Sequence, residues 1–449
     1  MDRDSVEPSV TTMPGERARE WAEYHRDAAA TTTYVYDFVW DITAEAEGPF
    51  VTDVDGNVLL DFTSHVAAAP LGYNNPKILD RMAEFDLVDP TKIAGQDFYV
   101  SDGSDPGEST IPGPADLMHE LTELTGHYGM DTVFLSNSGA EAVENAIKIC
   151  YDRSEGGKYG ITFQGAFHGR TLGALSLNRS KSVYRREFPE ISGIHDVPFC
   201  DEAGDDPASC TCGFFLDGGE TSVLREKLHP KRGHVDAGEV SYLVVEPIQG
   251  EGGYRFPSEA FLREVADVCE EYDVPLIADE IQSGVGRTGE WWASDHYPIE
   301  PDVITAAKGA RVGATIGRGE LFPDERSRLS STWGAGDVVS SMQGVFTLEA
   351  IEEYDLLANA TARGEQFQET VRDADPDGVV DVRGKGLMLG VEFESTERRD
   401  DVQHEALTSG LLTLACGTTV LRILPPLDVT EREIDIGANM LLDAIEEAA

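Results

Sequence analysis

Two apolar runs in this sequence end in residues suited to chemistry. Val274-Pro-Leu-Ile-Ala-Asp-Glu-Ile-Gln-Ser-Gly284 reads as a buried strand that presents Asp279, Glu280 and Gln282 at its carboxyl end, where α/β sheets bind their ligands. A carboxylate in such a place needs a partner, and a protonated heteroaromatic nitrogen would both pair with Asp279 and keep it ionised. A structural Asp that caps the next element is the alternative. The run Pro301-Asp-Val-Ile-Thr-Ala-Ala-Lys308-Gly309 then delivers the single lysine between Lys231 and Lys385. A desolvated amine loses its proton readily and forms a Schiff base with an aldehyde. With only nine lysines in the chain, a chance exposed lysine is a weaker explanation than usual.

Three further segments suit a planar, anionic ligand. In Ser136-Asn-Ser-Gly-Ala-Glu-Ala-Val-Glu-Asn145, small polar residues follow a strand and open a helix. The backbone N–H groups of Ser138, Gly139 and Ala140 would there seat a phosphate, although an ordinary helix cap would look the same. Gly165-Ala-Phe-His-Gly-Arg-Thr171 sets an aromatic ring and a guanidinium among glycines. Phe167 could cover a planar cofactor, and Arg170 could clamp a carboxylate. Val244-Val-Glu-Pro-Ile-Gln-Gly-Glu-Gly-Gly253 ends a strand with Glu246 and Glu251 on a glycine-rich loop.

These segments need a frame, and the pattern between them supplies one. From about residue 115 to 310, short β-rich runs alternate with amphipathic segments, as in Thr132–Ser136 before Glu141–Asp152 and Tyr242–Glu246 before Ser258–Tyr272. Such alternation predicts an α/β fold with a mostly parallel central sheet and helices on both faces. Ahead of it come a short helix within Glu16–Ala30, an aromatic stretch Tyr34–Trp40 crossing a surface, and a β-hairpin over Gly48–Phe62 that turns at Asp55-Gly56. The tail reads as a helix over Val345–Ala358, strands near Gly386–Glu394 and Thr418–Ile423, and a last helix from Glu431. The expected division is an N-terminal segment 1–45, a piece of a small α+β domain over 46–72, a large domain over 73–344 and the rest of the small domain over 345–449.

Two motif matches are decoys. Asp53-x-Asp55-x-Asn57 resembles a calcium loop but has Gly56 at position 4 and Ser64 at position 12, where that template needs Gly at 6 and Glu at 12. Gly284-Val-Gly-Arg-Thr-Gly289 matches a dinucleotide fingerprint, yet no helix pattern follows it.

Composition narrows the classes. Lys plus Arg number 35 against 83 Asp plus Glu, a formal charge of −48, which excludes a nucleic-acid-binding surface as the default. Acid spread over the whole chain with scarce lysine fits the solvated surface of a halophile's protein. No apolar run reaches the ~18–20 residues needed to span a bilayer, and Met1–Val10 lacks a signal-peptide core. The expected location is the cytoplasm. Six cysteines at irregular spacing make no disulfide framework. Cys200, Cys210 and Cys212 sit in an acidic loop, and Cys-x-Cys lacks the usual zinc spacing, so plain loop cysteines and no metal are expected.

Taken together, a phosphate seat, a covering aromatic, a strand-end Asp and a Lys 29 residues later resemble the class III pyridoxal-phosphate-dependent aminotransferases from Gly48 to the final helix. The wording of Gly165–Thr171 and of Ser331-Thr-Trp-Gly334 is similar to the 4-aminobutyrate and lysine 6-aminotransferase branch. The resemblance implies a fold-type I homodimer or higher homo-oligomer with pyridoxal 5′-phosphate at the subunit interface. Lys308 would form the imine with the cofactor and shuttle the proton, while Asp279 would hold the pyridine nitrogen protonated, making the ring an electron sink. Gln282 would contact the ring hydroxyl, Phe167 would stack on the ring, and Ser138, Gly139 and Ala140 would bind phosphate. Thr332 would reach the phosphate from the neighbouring subunit. Arg422, in Leu421-Arg-Ile-Leu-Pro-Pro426, would bind an α-carboxylate, with Glu251 as its switch partner. Arg170 would take the distal carboxylate of 2-oxoglutarate or that of a 4-aminobutyrate-like donor. The implied reaction moves an ω-amine to 2-oxoglutarate. An amino-acid racemase or epimerase on the same fold is the alternative. The family commonly has more glycine where this chain reads Ala310-Arg-Val, which bears on substrate identity.

Overall fold

The computed structural model describes the chain except residues 31–37, 84, 86–94, 155, 192, 202–205 and 449. It divides into two compact units, one of residues 1–83 with 353–449 and one of residues 84–352.

The second unit is built on a seven-stranded sheet. Its strands run in the spatial order Thr132–Ser136, Gly313–Gly317, Val303–Ala306, Leu276–Asp279, Val240–Val245, Tyr159–Phe163 and Ile194–Val197. All neighbours pair in parallel except Gly313–Gly317, which is antiparallel to both of its own. Every residue of Val240–Val245 is buried, as expected of a strand covered on both faces. Tyr242 and Val244 pack with Val143, Ala146 and Ile147 of the helix Gly139–Arg153. Leu243 and Val245 pack with Phe261, Leu262, Val265 and Val268 of the helix Glu259–Tyr272. The alternation of the strand therefore assigns one helix to each face.

Gly313–Gly317 reads in the sequence as a small-residue stretch, because glycine and alanine are poor strand formers. Its small residues serve close approach instead. A Cβ on Gly313 would lie 2.2 Å from Ser136 Oγ and 2.4 Å from the carbonyl oxygen of Ser138.

In the first unit, the hairpin forms between Phe50–Thr52 and Val58–Asp61, with Phe50 opposite Leu60. The calcium-like acids organise its turn. Asp53 Oδ1 accepts the N–H groups of Asp55 and Asn57, and Asp55 accepts those of Arg17 and Ala18 at the start of the helix Glu16–Arg26. Of the Tyr34–Trp40 stretch, Tyr34 to Asp37 lie outside the described residues; Trp40 stacks on His65. A four-stranded antiparallel sheet, ordered Val379–Lys385, Met388–Phe393, Val420–Ile423 and Leu414–Cys416, packs with the helices Leu356–Ala374 and Thr396–Ser409.

One tail expectation needs correction. The single helix over Val345–Ala358 is two, Val338–Glu353 and Leu356–Ala374, because Asp355 takes a left-handed φ of 51° between them. The strand near Gly386–Glu394 is the second arm of a hairpin that turns at Gly386-Leu387. Gly284–Gly289 is a string of turns leading to a 3-10 turn over Ala293–His296, as the rejection of a dinucleotide loop requires. Among the described residues no helix is long and apolar enough to cross a membrane.

Candidate active site

Strand register brings Asp279 and Lys308 to neighbouring strand ends. Leu276–Asp279 and Val303–Ala306 are adjacent parallel strands, and Thr305 pairs with Asp279. Lys308 follows two residues beyond its strand, so both groups stand at neighbouring carboxyl ends, where a ligand crevice opens. Gly309 permits the tight exit, since a Cβ there would lie 2.6 Å from Val285 Cβ.

Asp279 is 4% exposed, and both of its oxygens have identifiable partners. His168 Nδ1 lies 2.7 Å from Asp279 Oδ2, while Oδ1 accepts from Ile281 N and Thr305 Oγ1. The sequence quoted His168 only as a neighbour of Phe167. Its pairing with a carboxylate 111 residues away depends on the sheet and left no local signal. His168 is fixed in turn by Asn178, whose side-chain oxygen accepts its N–H at 2.7 Å. Glu280, expected beside Asp279, is structural. It is 1% exposed and accepts from Ser283, Ala293 and both donors of Ser294, pinning the 3-10 turn.

A second buried carboxylate ends the neighbouring strand. Glu246 accepts the backbone N–H groups of Phe167 at 2.8 Å and Gly250 at 2.9 Å. Burial pushes its pKa up to about 7, with the nearby His168 pulling down and Asp279 pushing further up. The carboxyl thereby ties the Phe167 segment to the glycine-rich loop.

Gln282 has a buried side-chain oxygen with no hydrogen-bond partner among the described residues. Such an atom is costly unless a ligand donates to it. Gly250 keeps room beside it, since a Cβ there would lie 2.9 Å from that oxygen. Ser138 is the N-cap of the 15-residue helix Gly139–Arg153 and is exposed, leaving the first-turn N–H groups of Gly139 and Ala140 available to an anion. Gly139 sits tight on Ile281, where a Cβ would come within 2.7 Å of Cδ1. Thr332 stands beside this helix start in the same chain, accepting from Asn137 Nδ2 at 2.7 Å and lying 3.4 Å from Glu141.

Opposite in character is a loop-borne cluster. Phe167 is half-buried and meets Tyr184 edge to face at 5.5 Å. Arg170, exposed, lies 5.3 Å from the Tyr184 ring centre and 6.0 Å from that of Phe167. Glu251 Oε1 accepts from Lys181 Nζ at 2.8 Å and from the Tyr184 hydroxyl at 2.7 Å. Arg422 is the expected switch partner of Glu251; Lys181 and Tyr184 are further partners that no local motif marks. Arg422 belongs to the other unit, 7% exposed on the strand Val420–Ile423 opposite Gly390. Arg311 takes a left-handed φ of 66° and donates to Gln343. That conformation suits glycine, so Arg311 holds a strained backbone there.

An anion seat, an orphaned acceptor, a charged strand-end Asp and a lysine on the next strand fit a phosphorylated, aldehyde-bearing heteroaromatic cofactor. Over residues 36–445 the chain matches the model of the family described as aminotransferase class-III, and it belongs to that family. It is 31% identical to an alanine/serine racemase of Pyrococcus horikoshii, across 98% of this chain and 92% of that protein. It is 33% identical to an acetylornithine aminotransferase of Archaeoglobus fulgidus, across 90% of this chain and 95% of that protein. Among solved structures it is similar to the lysine aminotransferase from Mycobacterium tuberculosis in the internal aldimine form. That similarity has a TM-score of 0.82 and 28% identity, covering 96% of this chain and 100% of that one. The fold is thus that of the fold-type I enzymes, and the cofactor is pyridoxal 5′-phosphate.

Proposed function

We propose that this class III enzyme moves the terminal amine of a 4-aminobutyrate-, ornithine- or lysine-like donor to 2-oxoglutarate by a ping-pong route. The observation that carries the reading is the placement of Asp279 and Lys308 at the carboxyl ends of adjacent parallel strands, where Thr305 pairs with Asp279. Pyridoxal 5′-phosphate supplies, when bound, an aldehyde that takes up amines and a ring that withdraws electrons from the adjoining carbon. In this reading Lys308 Nζ holds the cofactor and then carries a proton between donor carbon and cofactor carbon. Asp279, steadied by His168, keeps the ring nitrogen protonated. Gln282 accepts from the ring hydroxyl, Phe167 covers the ring, and Ser138, Gly139 and Ala140 bind the phosphate. The reading includes a homodimer or higher homo-oligomer in which Thr332 serves the phosphate of a neighbouring subunit.

Arg170 and Arg422 are assigned to substrate carboxylates, which guanidinium groups bind bidentately. Glu251 is assigned to switching between two dissimilar substrates. Its ties to Lys181 and Tyr184 give it partners to exchange as the charge of the occupant changes.

A racemase is the second reading, favoured by the Pyrococcus horikoshii relative, which matches across nearly the whole chain. The two are separated by one assay in high salt, where the charge of −48 is screened. The cofactor-loaded protein receives 2-oxoglutarate with 4-aminobutyrate, ornithine, lysine, β-alanine or α-amino acids in turn. Glutamate formed from an ω-amine supports the aminotransferase. Racemised α-amino acid without glutamate rejects it.

A further inference from the structure

The three cysteines that sequence spacing dismissed as a metal site come together in space. Cys210 Sγ lies 3.0 Å from Cys212 Sγ and 3.3 Å from Cys200 Sγ, and all three sulfurs fall within 4.8 Å of one another. Three thiolates around a zinc-sized ion with bonds of about 2.3 Å stand about 3.8 Å apart, so the group needs only small adjustment to surround one. We propose that Cys200, Cys210 and Cys212 bind a single zinc-class metal ion.

Hydrogen-bond donors and apolar side chains surround the sulfurs. Backbone N–H groups of Phe214 and Phe215 point at the Cys210 sulfur. The Ser258 hydroxyl points at that of Cys200 from 3.9 Å, at the start of the 14-residue helix Glu259–Tyr272. All three cysteines are free thiols rather than disulfide partners. A disulfide would also leave one sulfur of the three over. Cys200 is fully buried and Cys210 and Cys212 half-buried, so the ion would sit on a hydrophobic floor formed with Phe199, Phe214 and Phe261. Soft sulfur ligands select zinc over magnesium or calcium. Among the described residues the group comprises these three donors alone, and a water molecule completes the tetrahedron. Binding releases the three thiol protons to solvent.

The fold gives the clip a task. Cys200 follows the edge strand Ile194–Val197, and the ion would fasten the far end of its loop at residue 212. The next residue, Asp201, accepts Arg255 Nε at 2.7 Å and Nη2 at 2.8 Å. Arg255 in turn pairs through its backbone with Gln249, on the loop that carries Glu246 and Glu251.

The test uses the cofactor-loaded protein, purified under reducing conditions, given zinc and desalted. Metal is measured by plasma mass spectrometry, and thiol reactivity is followed before and after a chelator. The expected result is one zinc per chain and three thiols that react only once the chelator is added. Cys210→Ser and Cys212→Ser should each lose the zinc, while Cys416→Ala keeps it. Should the serine variants fail to fold, cobalt substitution of the unaltered protein should give a thiolate-to-metal absorption band. A metal-free unaltered protein, zinc retained by both serine variants, absence of the cobalt band, or thiols released by reductant rather than chelator would each overturn the proposal.

Discussion

The two halves of the site are built by different means. The half proposed to hold the cofactor rests on regular elements: Asp279 and Lys308 at adjacent strand ends, Ser138 at a helix start, and Gln282 in a buried turn. Backbone register places these groups, and His168 and Glu246 brace them from within. The loop-borne cluster of Phe167, Arg170, Lys181, Tyr184 and Glu251 rests on loops and a three-residue 3-10 turn, Ser182–Tyr184. Its contacts join side chain to side chain at partly exposed positions. A scaffold fixed by hydrogen-bonded strands preserves a reaction, while side-chain pairs on loops are easily exchanged. Relatives of near-equal identity accordingly bear the names of a racemase and an acetylornithine aminotransferase.

Substitution of Lys308 should have the largest effect. Lys308→Ala should lower glutamate formation by at least about 10³-fold, the scale of a lost proton-transfer group, and remove the yellow colour of the loaded protein. Asp279→Asn should cost about 10²-fold or more, as when a preorganised charge is taken from a buried site. It should weaken cofactor binding as well, measured by titration of the apoprotein. If either variant kept near-normal turnover, the strand ends would not be the reactive half.

Glu251→Gln should act differently. It weakens two charge-assisted hydrogen bonds, so the ratio of kcat/KM between an ω-amine and 2-oxoglutarate should shift by about tenfold or more, with cofactor affinity unchanged. Equal losses for all substrates together with weaker cofactor binding would erase the distinction between the halves.

Glu246 sharpens the account of the cofactor half through pH. Its folded pKa of about 7 lies above the ordinary 4.5. Its contribution to stability is therefore complete below about pH 4.5 and is lost as pH rises through about 7, by roughly 3 kcal/mol. Thermal unfolding of the apoprotein should fall over that range, and Glu246→Gln should flatten the fall. Parallel pH curves for the two proteins would place the buried charge elsewhere. The smallest effect belongs to Arg311→Gly. Relief of its left-handed backbone should raise stability by no more than about 1 kcal/mol, read as a modest rise in melting temperature.

Sequence made the rigid half legible because strand ends and helix starts leave local marks. Asp279 and Lys308 each follow an apolar run, and Ser138-Gly-Ala opens an amphipathic helix. The bracing was not legible, since His168 and Asp279 are brought together only by the sheet. Lys181 and Tyr184 escaped notice because a short 3-10 turn has no periodicity to mark which side chains face Glu251. Gly313–Gly317 leaves no strand pattern in the sequence, because the tight contact with Ser136 and Ser138 that demands its small residues is tertiary. The cysteine grouping left no local mark for a related reason: Cys-x-Cys spacing describes two of the sulfurs, and the third arrives from ten residues upstream of Cys210.

The central claim, that Lys308 and Asp279 drive amino transfer, is tested most directly by a half-reaction. One equivalent of an ω-amine donor is added to the yellow, cofactor-loaded protein with no oxo acid present. The account predicts that the yellow absorbance disappears as an equal amount of the donor's oxo product forms, and that 2-oxoglutarate restores the colour. Persistent colour with every ω-amine, alongside loss of chirality in an α-amino acid, would contradict it.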